Sequence, residues 1–330
     1  MITRRQLLAA LAGAGLGAGV VPARAAAEAP PETETLRIGQ FGSLCVAPQY
    51  VAEDLLRAEG FARVDYTQTK GIDVYKDIVA GRTHLSMGFA GPAIVDIDAG
   101  APLVFLAGVH PGCYEVFGTD RIRTMRDFKG KTIVVTSAGG GQKLFLSAML
   151  TYVGLDPRKD VSWEVRSVAE AMDRLAQGKA DGYLGFPPDP QELRARKIGH
   201  VVVNTAVDRP WSQYFCCLLI GEREWVAKHP VATKRAMRAI LKAADLCALE
   251  PARAARALVE RGYEKRYEYA LESVKNLPYG KWRAYDPEDT VRFFALRLHE
   301  AGLIKSSPKK IIASATNWRF LHELRKELKT

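Results

Sequence analysis

Two stretches, AGRTHLSMGFAGP at residues 80–92 and QGKADGYLGFPPD at 177–189, lie over one another. Gly81 falls on Gly178, Arg82 on Lys179, Gly88 on Gly185 and Phe89 on Phe186. In each, a glycine stops a short helical run, as a C-terminal cap does, and a short strand then ends on the phenylalanine. The match extends upstream. LRIGQFGSL (36–44) is a strand entering a glycine turn; APQYVAEDLLRAEGF has helical spacing, ARVDYTQ is a strand and IDVYKDIVAG a short helix. The second copy begins at Lys131 with KTIVVTSAGGG and continues through helix QKLFLSAMLTYVG, strand VSWEVRS and helix VAEAMDRLAQG. Each copy therefore reads strand, helix, strand, helix, strand. That order predicts two small, mainly parallel sheets with right-handed crossovers.

A guest in such a sheet sits beyond the carboxyl ends of the strands. The loops QFGSLC, TQTKG, GFAGP, TSAGGGQ, EVRS and GFPPD all fall at those ends. Between the copies, LVFLAGVHPGCYEVFGTD (103–120) reads as a crossing from one lobe to the other. VVVNTAVDRPWSQYFCCLLIGERE (201–224) reads as the return. From about Glu224 the chain is mostly helical. One helix starts with Asp286 as cap and Pro287 in first position and stops at Gly302. TNWRFLHELRKELK is a further amphipathic helix. These helices are expected to pack on the first lobe.

The glycine loop TSAGGGQKLF invites a nucleotide reading, and its spacing refuses it. A phosphate loop needs Gly-Lys-Ser/Thr after its last glycine. Here Gln142 separates Gly141 from Lys143, and Leu144 follows. A dinucleotide loop started at Gly139 and Gly141 meets Leu144 where its last glycine belongs. The general physics remains: a helix N-terminus presents unpaired amides and partial positive charge. Ser137, Gly139, Gly140, Gly141 and Gln142 thus form a candidate cradle for a polar or anionic group.

Composition excludes several classes. The first 25 residues have a basic start, an apolar run from Leu7 to Val21 and a small-x-small site at Ala23–Ala25, the pattern of a cleaved export signal. Arg4-Arg5 resembles a twin-arginine signal, and no lipoprotein cysteine ends the apolar run. Removing this segment takes away three positives and no acids, reducing the formal charge from +10 to +7. Many remaining cations lie in REWVAKHPVATKRAMRAILKAADL at helical spacing, a solvated face rather than a nucleic-acid surface. The five cysteines, an odd number, leave at least one without an intramolecular partner. Cys216 and Cys217, adjacent in a strand, point to opposite faces. The six histidines are dispersed and share no ligand spacing, so neither a metal nor a cofactor is expected.

The combination of AGRTHLSMGFAGPAIVDIDAGAPLVFLAG, MRDFKGKTIVV, VGLDPRKDVSW, GKADGYLGF, DRPWSQYFCC, HPVATKRAMRAILKAAD and NWRFLHELRKEL resembles the solute-binding proteins of ABC importers. The group is that of nitrate, sulfonate, taurine and thiamine-pyrimidine precursors. The resemblance implies a type II periplasmic-binding α/β fold with two lobes, no catalysis, and delivery of a small solute to a membrane permease from the periplasm. It places lobe I at 34–112 plus 217–330, lobe II at 113–216, and hinges near 108–118 and 207–220. A monomer suffices for that task.

Site candidates then follow by position. Ser43, Leu44 and Cys45 occupy the first strand–helix turn. Phe89, Ala90 and Gly91 face Phe186 from the corresponding strand end. His110 and Tyr114 lie on the first crossing. Trp211, Ser212 and Tyr214 lie on the return, where the resemblance favours Trp211 as a contact. Aromatics outnumber cations in these loops; Lys70, Lys143, Arg166 and Arg209 are the nearby positives. That balance suits a sulfonate-like or nitrogen-heterocyclic solute better than nitrate. A receptor-coupled sensor is the alternative. A pyrimidine-precursor enzyme is a more distant one, since FCCLL supplies only two adjacent cysteines.

Overall fold

The computed structural model describes residues 28–69 and 74–328. The export-signal reading and Lys70 lie outside the described residues. Ten strands form two five-stranded sheets. In chain order they are β1 (Thr35–Gln40), β2 (Arg63–Gln68), β3 (Leu85–Phe89), β4 (Leu103–Pro111), β5 (Glu115–Gly118), β6 (Lys131–Val135), β7 (Val161–Val165), β8 (Gly182–Gly185), β9 (His200–Asn204) and β10 (Phe215–Glu222). The first sheet has the order β2-β1-β3-β10-β4 and the second β7-β6-β8-β5-β9. The two orders correspond strand for strand, so the repeat read from sequence is a repeat of topology.

Within each sheet three strands run parallel. The fourth is antiparallel to both its neighbours: β10 lies between β3 and β4, and β5 between β8 and β9. Both come from the crossing segments. Each crossing therefore ends as an inner strand of the sheet it enters, which makes both sheets mixed. β3, β4 and β5 are buried along their whole length and β10 at all but its last residue. This explains their continuous apolar runs.

The repeat also has a side-chain signature. Gln49 donates to the Gly39 carbonyl at 2.7 Å and accepts from the Met87 amide at 2.8 Å, tying β1 to β3. Gln142 donates to the Leu184 carbonyl at 2.6 Å and accepts from the Thr136 amide at 2.9 Å. It ties the end of β6 to β8. A buried amide with its donor and acceptor both used locks two strand ends without an unpaired polar group.

Helices close the faces. Helix Gly141–Tyr152 follows β6, and Val168–Ala176 opens with a Ser167–Glu170 capping box. The run 47–58 is not one helix but two, Ala47–Val51 and Glu53–Ala58. Asp286 caps helix Pro287–Glu300 by accepting from the Glu288 amide, and Gly302 beyond it has φ +67°. That helix packs against both Ala90–Asp98 and Gly141–Tyr152, so it touches both lobes rather than the first alone. The cations of helix Pro230–Leu249 are less solvated than their spacing predicts. Arg238 pairs with Glu59 at 2.6 Å with both side chains nearly buried, and Lys234 pairs with Glu323 at 3.0 Å. Glu59 and the C-terminal helix supply acids that the local pattern does not show.

The two crossings meet. A disulfide joins Cys113 to Cys216, 103 residues apart, with Cα atoms separated by 6.0 Å. Cys45, Cys217 and Cys247 are buried and unbonded. Cys216 and Cys217 thus do face opposite sides of β10. Beside the disulfide, the Thr205 hydroxyl accepts from the amides of Cys113 and Tyr114 and donates to the Tyr114 carbonyl. Gly112, at φ +50°, lies so close that a Cβ there would sit 2.2 Å from the Thr205 carbonyl oxygen.

Two outcomes follow. Gly112→Ala should cost at least about 2 kcal/mol, from overpacking on backbone and from positive φ, read as a lower urea midpoint. Asp189 is buried at the end of β8 and accepts from the Tyr183 hydroxyl. Burial pushes its carboxyl from 3.8 up to about 6, against the opposing effect of that hydrogen bond. The folded chain therefore holds a proton that the unfolded chain releases. The resulting stabilisation is full below pH 3.8 and is lost as pH rises through about 6. It amounts to about 3 kcal/mol. Asp189→Asn should remove that part of the slope from unfolding measured between pH 4 and 7.

Candidate solute site

The carboxyl ends of the two sheets face each other across a cavity of about 810 Å³. On the second-lobe side its wall is the turn after β6. Thr136, Ser137, Gly139, Gly140 and Gly141 line it, with Phe186 beyond β8. Helix Gly141–Tyr152 begins here with Gly140 as N-cap, extended at φ −80° and ψ 169°, and no side chain caps the first turn. Its opening amides point their partial positive charge at the cavity. A side chain at 141 would crowd the aromatic residues behind the turn. A Cβ there would stand 3.0 Å from the Phe89 ring and 3.1 Å from the Tyr114 hydroxyl.

Behind that wall, Phe89, Tyr114 and Phe186 form an aromatic triangle, with centroids 5.2 Å (Phe89–Tyr114), 6.1 Å (Phe89–Phe186) and 6.0 Å (Tyr114–Phe186) apart. The Tyr75 hydroxyl donates to the Phe89 carbonyl at 2.7 Å and fixes that strand end. The Tyr114 hydroxyl is fully buried and has no hydrogen-bond partner among the described residues. Burial holds its pKa well above the usual phenol value, with further contributions from Cys45 and Cys217.

The first-lobe wall was not legible as such in the sequence. Gln68, Thr69, Tyr75, Lys76 and Asp96 line it, together with Gly42. Gln68 ends β2 and Thr69 follows it, in a strand end flagged by position only. Tyr75 and Lys76 belong to a short helix, and Asp96 to a helix whose apolar spacing gave no hint of a polar face.

Other predicted residues go elsewhere. Ala90 and Gly91 open helix Ala90–Asp98 and are buried, and a Cβ on Gly91 would lie 3.3 Å from the Leu144 Cβ. Gln142 is used internally, as described. Leu44 donates its amide to the Pro187 carbonyl at 3.1 Å, a direct link between the lobes. Ser43 lines a separate pocket of about 240 Å³. Cys45 and His110 lie beneath the surface with Cys217. There burial favours neutral thiols; the neighbouring Cys217, His110 and Ser43 reverse this for Cys45, whose pKa is lowered, while Cys217 is pushed up. Trp211 packs edge-on against Tyr152 at 5.1 Å and near Phe293 at 6.0 Å, away from the 810 Å³ cavity. Tyr214 stacks on Phe293 at 4.2 Å and lines a third pocket of about 310 Å³, beside which lies Ser212. Of the cations near the loops, Lys143 sits over the Trp163 ring and Arg209 bonds Gln213. Arg166 donates to the neighbouring Val165 carbonyl.

Ion pairs link the helix after β8 to the C-terminal helical region. Arg194 reaches Glu115 and, at 2.7 Å, Glu272; Arg266 reaches Glu192 at 2.6 Å. Glu192 and Arg194 lie on helix Asp189–Ala195 after β8, while Arg266 and Glu272 belong to the C-terminal helical region.

Comparison with known proteins bears on this geometry. The nitrate-binding protein NrtA of Synechocystis PCC 6803 superposes with a TM-score of 0.77 at 16% identity, covering 91% of this chain and 90% of that one. The alkanesulfonate-binding protein SsuA of Xanthomonas axonopodis pv. citri, solved with MOPS, gives 0.67 at 17% identity, covering 83% and 96%. The desulfurization enzyme DSZB gives 0.60 at 14%, covering 89% and 99%. These likenesses establish the two-lobed periplasmic-binding fold. No curated protein matches the sequence. The profile of the NMT1-like family matches residues 29–261, and the chain belongs to that family.

Proposed function

We propose that this protein captures a small organic solute between its lobes and delivers it to the membrane permease of an ABC importer. The observation that carries the reading is the 810 Å³ cavity at the facing strand ends, walled by an uncapped helix N-terminus on one side and polar side chains on the other. Solute pockets run from roughly 300 to 1,000 Å³. The unpartnered Tyr114 hydroxyl beside Gly141 supports it, since an orphan buried hydroxyl costs about 1–3 kcal/mol. The similarity to nitrate- and sulfonate-binding proteins supports it too. Export to the periplasm, action as a monomer, and lobe limits of 34–112 plus 217–330 and 113–216 belong to the same proposal.

The wall chemistry narrows the solute. No arginine lines the cavity among the described residues. The Ser137 hydroxyl, the Gln68 amide and glycine amides provide directional hydrogen bonds, the Thr69 and Thr136 hydroxyls, which donate to Asp77 and Gln142, can still accept, and Lys76 and Asp96 add one charge of each sign. Tyr75 and Phe186 provide flat apolar area. The solute is therefore planar or partly apolar with one polar or weakly anionic end, of the sulfonate or nitrogen-heterocycle kind. Nitrate, small and without a hydrocarbon part, offers nothing to the apolar part of the wall.

The test is thermal unfolding of residues 26–330 against sulfonates, carboxylates, nitrate and pyrimidines. A solute that binds only the folded chain adds about 2.7 kcal/mol at a hundredfold excess over Kd. One organic class should raise Tm and nitrate should not; a response to nitrate alone would sink the assignment. With the responding solute, Phe186→Ala should weaken binding about tenfold or more, roughly 1.4 kcal/mol. Asp289→Asn, at the 310 Å³ pocket, should leave Kd unchanged in the same calorimetric titration.

A further inference from the structure

Behind the solute cavity, three residues that sequence spacing keeps apart come together. Cys45 lies in the turn after β1, His110 in β4 and Cys217 in β10, where His110 and Cys217 are paired across the strands. All three are fully buried, and their two sulfurs and an imidazole nitrogen lie within 4.8 Å of one another. We propose that this cluster is a binding site for one zinc ion.

Three geometric facts carry the assignment. The Cys45 and Cys217 sulfurs are 3.6 Å apart. Two thiolates each about 2.3 Å from one tetrahedral zinc stand about 3.8 Å apart, so the observed spacing needs little adjustment. A disulfide would instead need the sulfurs at about 2.05 Å. Second, the His110 ring is already oriented. Its Nδ1 lies 3.3 Å from the Pro111 carbonyl oxygen, a contact that calls for the proton on Nδ1. That leaves Nε2 as the lone-pair nitrogen, and Nε2 is buried with no hydrogen-bond partner among the described residues. Backbone carbonyls hold zinc-ligating histidines in this way. Third, the Ser43 hydroxyl is 3.0 Å from the Cys45 sulfur and offers the fourth position, either itself or through a water.

Charge selects the metal. Two thiolates and a neutral imidazole sum to −2, which a divalent ion cancels. A fully buried site penalises any residual charge. A monovalent soft ion would leave one negative charge there, and hard cations prefer oxygen ligands. Ser43 also supplies the way in, since it lines the 240 Å³ pocket that opens beside Tyr50 and Tyr263. The ligands come from the inner strand β10, the edge strand β4 and the turn above them. The ion would bind the turn after β1 to the sheet core and so stiffen one edge of the first lobe.

The experiment loads the purified chain with Zn²⁺ after chelator treatment, removes loosely held metal by gel filtration, and counts zinc by elemental analysis. About one equivalent per chain should remain, as a closed four-ligand site predicts. Co²⁺ in its place should give a sulfur-to-cobalt charge-transfer band and tetrahedral visible absorption. Cys217→Ser and His110→Gln should drop retention to background, while Cys247→Ala, outside the cluster, should keep it. The cobalt spectrum of the unmodified chain stands even if a variant fails to fold. The proposal is overturned by retention well below one equivalent, by a cobalt spectrum without a thiolate band, or by full retention in folded Cys217→Ser.

Discussion

The chain must cross twice between its lobes, and the two crossings are fastened to one another. That fastening is the constraint on which the remaining structure depends. β5 and β10 each run antiparallel to both neighbours in an otherwise parallel sheet, and the Cys113–Cys216 bond joins the turn just before β5 to the start of β10. A native disulfide closing a long loop contributes about 2–5 kcal/mol. Here it also fixes where the carboxyl ends of β3 and β8 face each other, and so sets Phe89 6.1 Å from Phe186. Such a bond persists in an oxidising compartment, in keeping with the proposed periplasmic setting.

The facing strand ends then determine the chemistry. Gln49 and Gln142 hold them at equivalent places in the two lobes, so neither is available to a guest. What remains on the cavity wall is backbone at Gly139–Gly141, hydroxyls, the Gln68 amide, two aromatic faces and one charge of each sign at Lys76 and Asp96. Such a wall offers shape and hydrogen-bond direction with no excess of either charge. The ion pairs Arg194–Glu272 and Arg266–Glu192 join the same two regions of chain outside the cavity. They are partly exposed, and exposed pairs are individually weak and screened by salt. A contact of that strength can open and close, as hinge motion around a guest requires.

Much of this was readable from the sequence because it is local or repeated. The aligned ends at 80–92 and 177–189 reveal the doubled topology, and Asp286, Pro287 and Gly302 bound their helix through nearest-neighbour physics. The cradle from Ser137 to Gly141, and Phe186, follow from their place after a strand. The rest was not local. Trp211 lies on the return crossing, yet Tyr152 and Phe293 offered it apolar surface that the linear order does not show. Tyr75, Lys76 and Asp96 reach the cavity because the helices carrying them pack there. Cys45, His110 and Cys217 share no spacing at all, since Cys45 and Cys217 stand 172 positions apart and meet only when β10 enters the first sheet.

The central claim is that solute is held at the glycine turn where helix Gly141–Tyr152 begins. Backbone amide NMR of the chain during titration with the stabilising solute tests it most directly. The account predicts saturable shifts at Gly139, Gly140 and Gly141 with the same midpoint as the calorimetric titration. Shifts confined to Tyr214 and its neighbours at the 310 Å³ pocket, with those glycines unmoved, would contradict it.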